Sequence, residues 1–333
     1  MISRLFGEIC TAPPESSAAA NGAPKSGFEG VPDLTAETIT DAVVDQMSAT
    51  PDPRLKEIME AAVRHLHAFA REVDLTPSEW LEAIGFLTKV GQKCTPERQE
   101  FILLSDILGL SALVHFQHDE KAIEDSTNSS LLGPFFRENA PRYEAGGQIA
   151  KDISAGEVAL WGQVTNVKGE PVANAEIDIW QTASSGLYDI QHESDGPPEM
   201  DCRGVFTTDD DGKFLIRTVS PVGYSIPMDG PVGDLTLLQA RHGMRPAHIH
   251  MVIRGAGYRE LVTALYIAGD PHIIDDVVFG TSGDLVASIT PDDPRCPIPG
   301  MPSCHFDFML SRESEVDQSM GRVGADPAAI GKH

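Results

Sequence analysis

The chain has 333 residues, enough for one large or two ordinary domains, and 41% of them are apolar, enough for a real core. Lys and Arg number 25 against 50 Asp and Glu, a formal charge of -25. This balance opposes a nucleic-acid backbone or an anionic membrane surface as partner, because both need a positive footprint.

Residues 1–34 read as a flexible arm, rich in Ala, Ser, Gly and Pro. Their opening, "MISRLFGEICTAPPESSAAA", has no apolar run of signal-peptide length, and no later stretch approaches a membrane span. Cys10, Cys94, Cys202, Cys296 and Cys304 are scattered, odd in number and without a CxxC. A disulfide framework or zinc ribbon is therefore not expected, and Cys296 and Cys304 read as free thiols. A cytoplasmic protein is the expectation.

From Thr35 the texture is helical, with Thr35 a plausible cap for "LTAETITDAVVDQMSA". Apolar residues three and four apart predict a second helix in "DPRLKEIMEAAVRHLHAFAREV". Thr76, Pro77 and Glu79 form a helix start for "TPSEWLEAIGFLTKVGQ". Thr95 and Pro96 repeat that start in "TPERQEFILLSDILGLSALVHFQHD". Four helices are thus predicted in a helical domain over 35–125.

Residues 126–154 read as a linker containing "SLLGPFFRENAP". Over 155–312 short apolar runs alternate with Gly, Pro, Asp and Asn, which predicts an antiparallel sandwich or barrel. The "TTDDDG" acids read as a hairpin turn, since they lack the spaced ligands of a calcium loop. Residues 313–333 form a polar tail.

The chemistry concentrates in "RPAHIHMVIRG". Ala247 to Ile253 reads as a strand, so His248 and His250 share one face and Ile249 takes the other. Such a pair fits either a hydrogen-bonded core or a metal. Two of the five tyrosines, Tyr188 and Tyr224, fall in loops after strands of the same region. Two phenolates and two neutral imidazoles suit a hard trivalent ion, ferric iron better than zinc or copper. A phenol of pKa about 10 needs such an ion to lose its proton. Arg245, three residues before His248, brings a permanent positive charge for an anionic substrate or a developing negative charge. His242 and His272 fall in turn-like loops and are not read as ligands.

The chain resembles the intradiol ring-cleavage dioxygenases, which include catechol, chlorocatechol and hydroxyquinol 1,2-dioxygenases. The stretches that carry the likeness are "LLGPFF", "GEPVANAEIDIWQTASSGLYDIQ", "RGVFTTDDDGKFLIRTVSPVGYSIPMDGPVG" and "RPAHIHMVIRGAGYRELVTALYIAGDPHIIDDVVFGT". With the helical part it spans about residues 35 to 310. The resemblance implies an α+β chain: an N-terminal helical dimerisation domain, then an all-β sandwich catalytic domain. It implies Fe(3+) held by Tyr188, Tyr224, His248 and His250, no organic cofactor, and a homodimer built on the N-terminal helices. Arg245 would lie beside the substrate, and Tyr224 would leave the metal and take a substrate proton. A small aromatic diol or triol and O2 would be the reactants, with cleavage between the two hydroxylated carbons.

The same pattern would place Leu132, Gly133 and Phe135, from the 126–154 segment, beside the substrate ring. Leu87 and Val90 would cover it, although they also read as ordinary helix-core residues. "DDVVFGT" resembles the hydroxyquinol branch. Ala264 stands where catechol-cleaving relatives usually carry a glutamine, which also weakens a catechol assignment. Val90 points the other way, being apolar where an acid would suit the third hydroxyl. Hydroxyquinol is the expected substrate, with catechol or a substituted catechol as the alternative. A cupin-type metal protein and a non-enzymatic β-sandwich binding module are remoter. The chain lacks the cupin's compact His-x-His and Glu pattern, and either rival would lack the colour of a ferric phenolate.

Overall fold

The computed structural model describes residues 34–95, 98–119, 126–191 and 199–313. The expected N-terminal arm and C-terminal tail lie outside these residues, apart from Leu34 and Glu313. Local capping sets the helices α1 (Ile39–Gln46), α2 (Pro53–Glu72) and α3 (Pro77–Lys93). Thr35 caps the turn that leads into α1: its hydroxyl accepts from the Glu37 and Thr38 amides and its carbonyl from the Ile39 amide, where the helix itself begins. Asp52 caps α2 by accepting from the Arg54 and Leu55 amides, and Pro53 needs no such partner. Thr76 and Glu79 close the expected reciprocal cap of α3.

The fourth predicted helix is two, α4 (Glu100–Ile107) and α5 (Leu110–Asp119), bent by 74°. Gly109 between them has φ +73°, which interrupts the helical ladder and which glycine adopts without strain. A side chain there would also touch Phe279, at 3.4 Å. The described helical part therefore has five helices, not four. No single described helix is long and apolar enough to cross a membrane. The chain forms two compact units, Met1–Lys89 and Val90–His333, which divide inside α3.

In the second unit the strands are β1 (Glu157–Asn166), β2 (Glu176–Gln181), β3 (Arg203–Thr207), β4 (Lys213–Val219), β5 (Tyr224–Ser225) and β6 (Met244–Arg245). They continue with β7 (His248–Arg254), β8 (Leu261–Ile267), β9 (Val286–Ala287), β10 (Ile289–Thr290), β11 (Ser303–His305) and β12 (Phe308–Leu310). A short helix, α6 (Pro231–Leu238), lies between β5 and β6. One large sheet runs β10-β11-β1-β12 with β4 also on β1, a second runs β3-β2-β7-β8-β9, and β5 pairs with β6 in a separate two-stranded ribbon. The sheets are mixed rather than purely antiparallel, because β11 and β12 return along β1 in parallel and β9 lies parallel to β8.

Leu160, Phe214 and Ile216 of the first sheet form one buried cluster with Ile177, Ile179, Ile249, Met251 and Ile253 of the second. This is the core of a sandwich. Truncating one such side chain to Ala would cost about 2–5 kcal/mol. The "TTDDDG" acids do form a tight turn, with the Gly212 amide donating to the Asp209 carbonyl at 2.9 Å. It is not a hairpin within one sheet: β3 pairs with β2 and β4 with β1, so the turn carries the chain across the sandwich. Cys94, Cys202, Cys296 and Cys304 are free thiols.

Candidate metal centre

The period of two along β7 separates its faces. Ile249, Met251 and Ile253 enter the core, while Val252 joins a second buried cluster with Phe135, Trp180, Tyr188, Tyr224 and Val262. His248 and His250 share that outer face. Tyr188 arrives from a turn after β2, where Gly186 at φ +81° lets its amide bond back to Ala183. Tyr224 opens β5, directly opposite Arg245 of β6. The structure thus brings all four expected ligands and Arg245 together, each buried.

Their donor atoms converge. His248 and His250 Nε2 are 3.1 Å apart, and the Tyr188 hydroxyl is 3.3 Å from His248 Nε2. The Tyr188 and Tyr224 rings meet edge to face at 5.5 Å. The Pro246 carbonyl accepts from His248 Nδ1–H at 2.7 Å, which turns the Nε2 lone pair toward the cluster. His250 Nδ1 has no hydrogen bond of acceptable geometry, although the Leu131 carbonyl favours a proton on this ring. Trp180 lies opposite His250 across the strands and stacks on it, centroids 5.0 Å apart and planes within 8°.

Burial, then Arg245, holds the His248 imidazole neutral by pushing its pKa well below the usual range. His250 is lowered likewise, by burial, then His248 and Arg245. Burial and the neighbouring Tyr224 push the Tyr188 phenol well above its ordinary value. Without a metal this cluster is a set of neutral rings whose polar atoms crowd within 3.1 to 3.3 Å of one another. Donor spacings of 3.1 and 3.3 Å match neighbouring ligands around one ion with bonds of about 2 Å. The residues present therefore fit a metal, and one charged enough to deprotonate phenols.

Arg245 is fixed from behind. Asp276 accepts from its Nε at 3.1 Å and from a terminal nitrogen at 3.2 Å, while its other terminal nitrogen lies 3.2 Å from His248 Nε2. Burial opposes its charge, but Asp276, Tyr224 and Tyr266 together outweigh that and raise its pKa further. Tyr266 adds a hydroxyl at 3.3 Å, and burial pushes its own phenol up to about 12. Asp276 and Tyr266 escaped the sequence reading. The signal for Asp276 was inside "DDVVFGT", the stretch that resembles the hydroxyquinol branch. Arg203 also escaped it: buried, it pairs with Asp189 beside Tyr188 and donates to the Phe135 carbonyl at 3.2 Å.

Phe135 stacks on Tyr188 at 4.4 Å and meets Tyr224 edge-on at 6.3 Å. Gly133 lies against the His250 imidazole, where a Cβ would come within 3.3 Å. Leu132 packs on the same outer cluster, and Ala264 sits fully buried opposite His250 in β8. Leu87 and Val90 are both on α3, Leu87 41% exposed and Val90 fully buried.

The family model described as dioxygenase matches residues 131–311, and that of the catechol dioxygenase N terminus matches residues 52–125. The chain is 44% identical over 248 residues to a 6-chlorohydroxyquinol 1,2-dioxygenase of Cupriavidus pinatubonensis, covering 74% of this chain and 89% of the relative. It superposes on the solved hydroxyquinol 1,2-dioxygenase of Pseudomonas putida DLL-E4 with TM-score 0.76 and 40% identity, covering 84% of this chain and 99% of that one. The solved catechol 1,2-dioxygenase of Acinetobacter radioresistens gives TM-score 0.72 and 27% identity over 86% of this chain and 96% of that one. The chain belongs to the intradiol ring-cleavage dioxygenases and is a non-haem iron(III) enzyme that acts on an aromatic diol with dioxygen.

Proposed function

We propose that the enzyme cleaves hydroxyquinol, benzene-1,2,4-triol, between its vicinal hydroxylated carbons to give 3-hydroxy-cis,cis-muconate, isolated as maleylacetate. The observation that carries this choice is the greater identity to the hydroxyquinol enzyme than to the catechol enzyme at nearly equal TM-scores. Ala264 opposite His250 supports it, since this position offers no hydrogen bond of the kind a glutamine would give.

Tyr188, Tyr224, His248 and His250 are the residues that would hold the iron. Bound there, ferric iron supplies Lewis-acid activation of the diol oxygens. Tyr224 would help hold the iron and would also serve as the acceptor of a substrate proton. Arg245, clamped by Asp276, stabilises negative charge that develops on the ring during oxygen attack. Leu132, Gly133 and Phe135 shape the apolar side of the ring site. Burial of the ligands keeps bulk water from the reacting centre.

A second reading, catechol, is favoured by the apolar character of Leu132, Phe135 and Val90, which give a third hydroxyl no partner. Oxygen uptake with hydroxyquinol and catechol side by side, with product spectra, separates the two. Hydroxyquinol should show the higher kcat/KM, and equal or better turnover of catechol would overturn the choice.

We further propose a homodimer through the helical unit. α2 has no fully buried residue in the single chain, and Leu66, Phe69, Trp80 and Leu81 stand more than half exposed on α2 and α3. Sedimentation of the parent chain and of Phe69→Asp tests it. A monomeric parent would refute it.

A further inference from the structure

His242 and His272, set aside on sequence as loop residues, meet in the structure over one carboxylate. His242 Nε2 lies 3.0 Å from Asp275 Oδ2, and His272 Nδ1 lies 3.1 Å from Asp275 Oδ1. The imidazole centroids are 4.9 Å apart, and all three donor atoms fall within 4.8 Å of one another. We propose that these three residues form a second metal site, for a divalent transition cation of the zinc class, distinct from the iron centre.

The donor set selects the ion. Two imidazoles and one carboxylate suit zinc, nickel or copper, whereas magnesium and calcium prefer oxygen alone. Neighbouring donors on a tetrahedral zinc with bonds of about 2.0–2.1 Å are separated by about 3.3 Å. Both imidazole-to-carboxylate spacings are already close to that value. The three donor atoms already lie within 4.8 Å of one another, and His242 and His272, 39% and 26% exposed, have room to rotate onto one ion. The chain's formal charge of -25 raises the local concentration of cations. His242 and Asp275 also border a cavity of about 480 Å3 with Phe116, Ile274 and Phe279, which leaves room for water at an open coordination position.

One contact opposes binding. The Met244 amide donates to His242 Nδ1 at 3.1 Å, so the ring proton of the neutral imidazole sits on Nε2, toward Asp275. A cation on Nε2 moves that proton to Nδ1 and breaks the Met244 bond. The site is therefore of moderate affinity, filled when zinc is supplied and emptied by a chelator.

Its position gives the ion a consequence. His242 precedes Arg245 by three residues, and Asp275 immediately precedes Asp276, the carboxylate that grips Arg245. A bound cation links the two segments that carry this clamp.

The test uses the iron-loaded full chain, dialysed against micromolar zinc, with iron and zinc both measured by metal analysis. One zinc per chain should bind with iron retained, and the thermal midpoint should rise by several degrees. His272→Ala and Asp275→Asn should each weaken zinc binding at least tenfold and remove the thermal shift, while Asp284→Asn should match the parent. His242→Gln provides a third arm if either variant folds poorly. Equal zinc binding by parent and variants, no zinc beyond background, or zinc gained only as iron is lost would each overturn the site.

Discussion

Asp276 grips Arg245 side-on, its two carboxylate oxygens accepting from Nε and from a terminal nitrogen at 3.1 and 3.2 Å, with both side chains buried. The same carboxylate accepts from the Gly280 amide at 3.1 Å and the Val278 amide at 3.3 Å. It therefore holds the guanidinium and the following loop as one piece. Asp276→Asn should leave a buried charge half-paired, costing about 3–5 kcal/mol of stability. Where the variant folds, kcat/KM should fall about 10- to 100-fold as Arg245 loses its aim. Denaturant unfolding and steady-state oxygen uptake read the two effects, and a variant with parental values in both would refute the clamp.

Gly280 is forced by the same group. A Cβ there would lie 2.6 Å from the Tyr266 hydroxyl and 3.0 Å from an Arg245 terminal nitrogen. Tyr266 is fully buried and hydrogen-bonded to Ser130 at 2.9 Å, so it cannot step aside. Gly280→Ala should cost about 1–3 kcal/mol by overpacking. It should also lower activity without changing iron content. Iron loss in proportion to activity would show that the strain reaches the ligands instead.

The two tyrosines should separate by role. On the proposed ligand set, Tyr188→Phe would remove a phenolate that stays on the iron, so iron content or visible absorbance should drop strongly. Tyr224→Phe should retain some iron while losing most turnover, since the proposed proton acceptor would be gone. Anaerobic substrate should shift the visible band of the parent enzyme as one phenolate is released. Full iron, colour and turnover in Tyr188→Phe would remove it from the ligand set.

Burial pushes the Asp178 carboxyl up to about 6. Its unfolded value is near 3.9, so between the two the folded state holds a proton that the unfolded chain has lost. Stability from this group is full below about pH 4 and is lost as pH rises toward 6, by about 3 kcal/mol. Asp178→Asn should be more stable than the parent above pH 7, by up to about 3 kcal/mol, and should flatten the slope between pH 4 and 6. Paired urea titrations across that range check the sign, and a variant less stable at pH 8 would reverse it.

Local rules made much of this molecule legible. The Thr76 and Glu79 cap appears where its spacing placed it, because both partners lie within one turn. The shared face of His248 and His250 follows from strand geometry alone. What escaped depends on distant chain. Gly109 could be recognised as a break only through its turn and its contact with Phe279, far along the sequence. Asp276 gains its role from an Arg 31 residues earlier. The acids after β3 read as a hairpin because a turn's sequence does not say which sheet receives the next strand.

The alternation along β7 places the proposed iron ligands and the core residues on one ruler. A single inserted or deleted residue before His248 would not merely shift the imidazoles along the strand. It would turn them into the hydrocarbon between the sheets and present Ile249 and Met251 to the phenols, unless the register with β2 and β8 slipped to compensate. Such a slip would in turn uncouple Trp180 from its partner ring. The strand thus tolerates exchange of side chains far better than any change in length, and insertions in related sequences should be confined to its flanking loops.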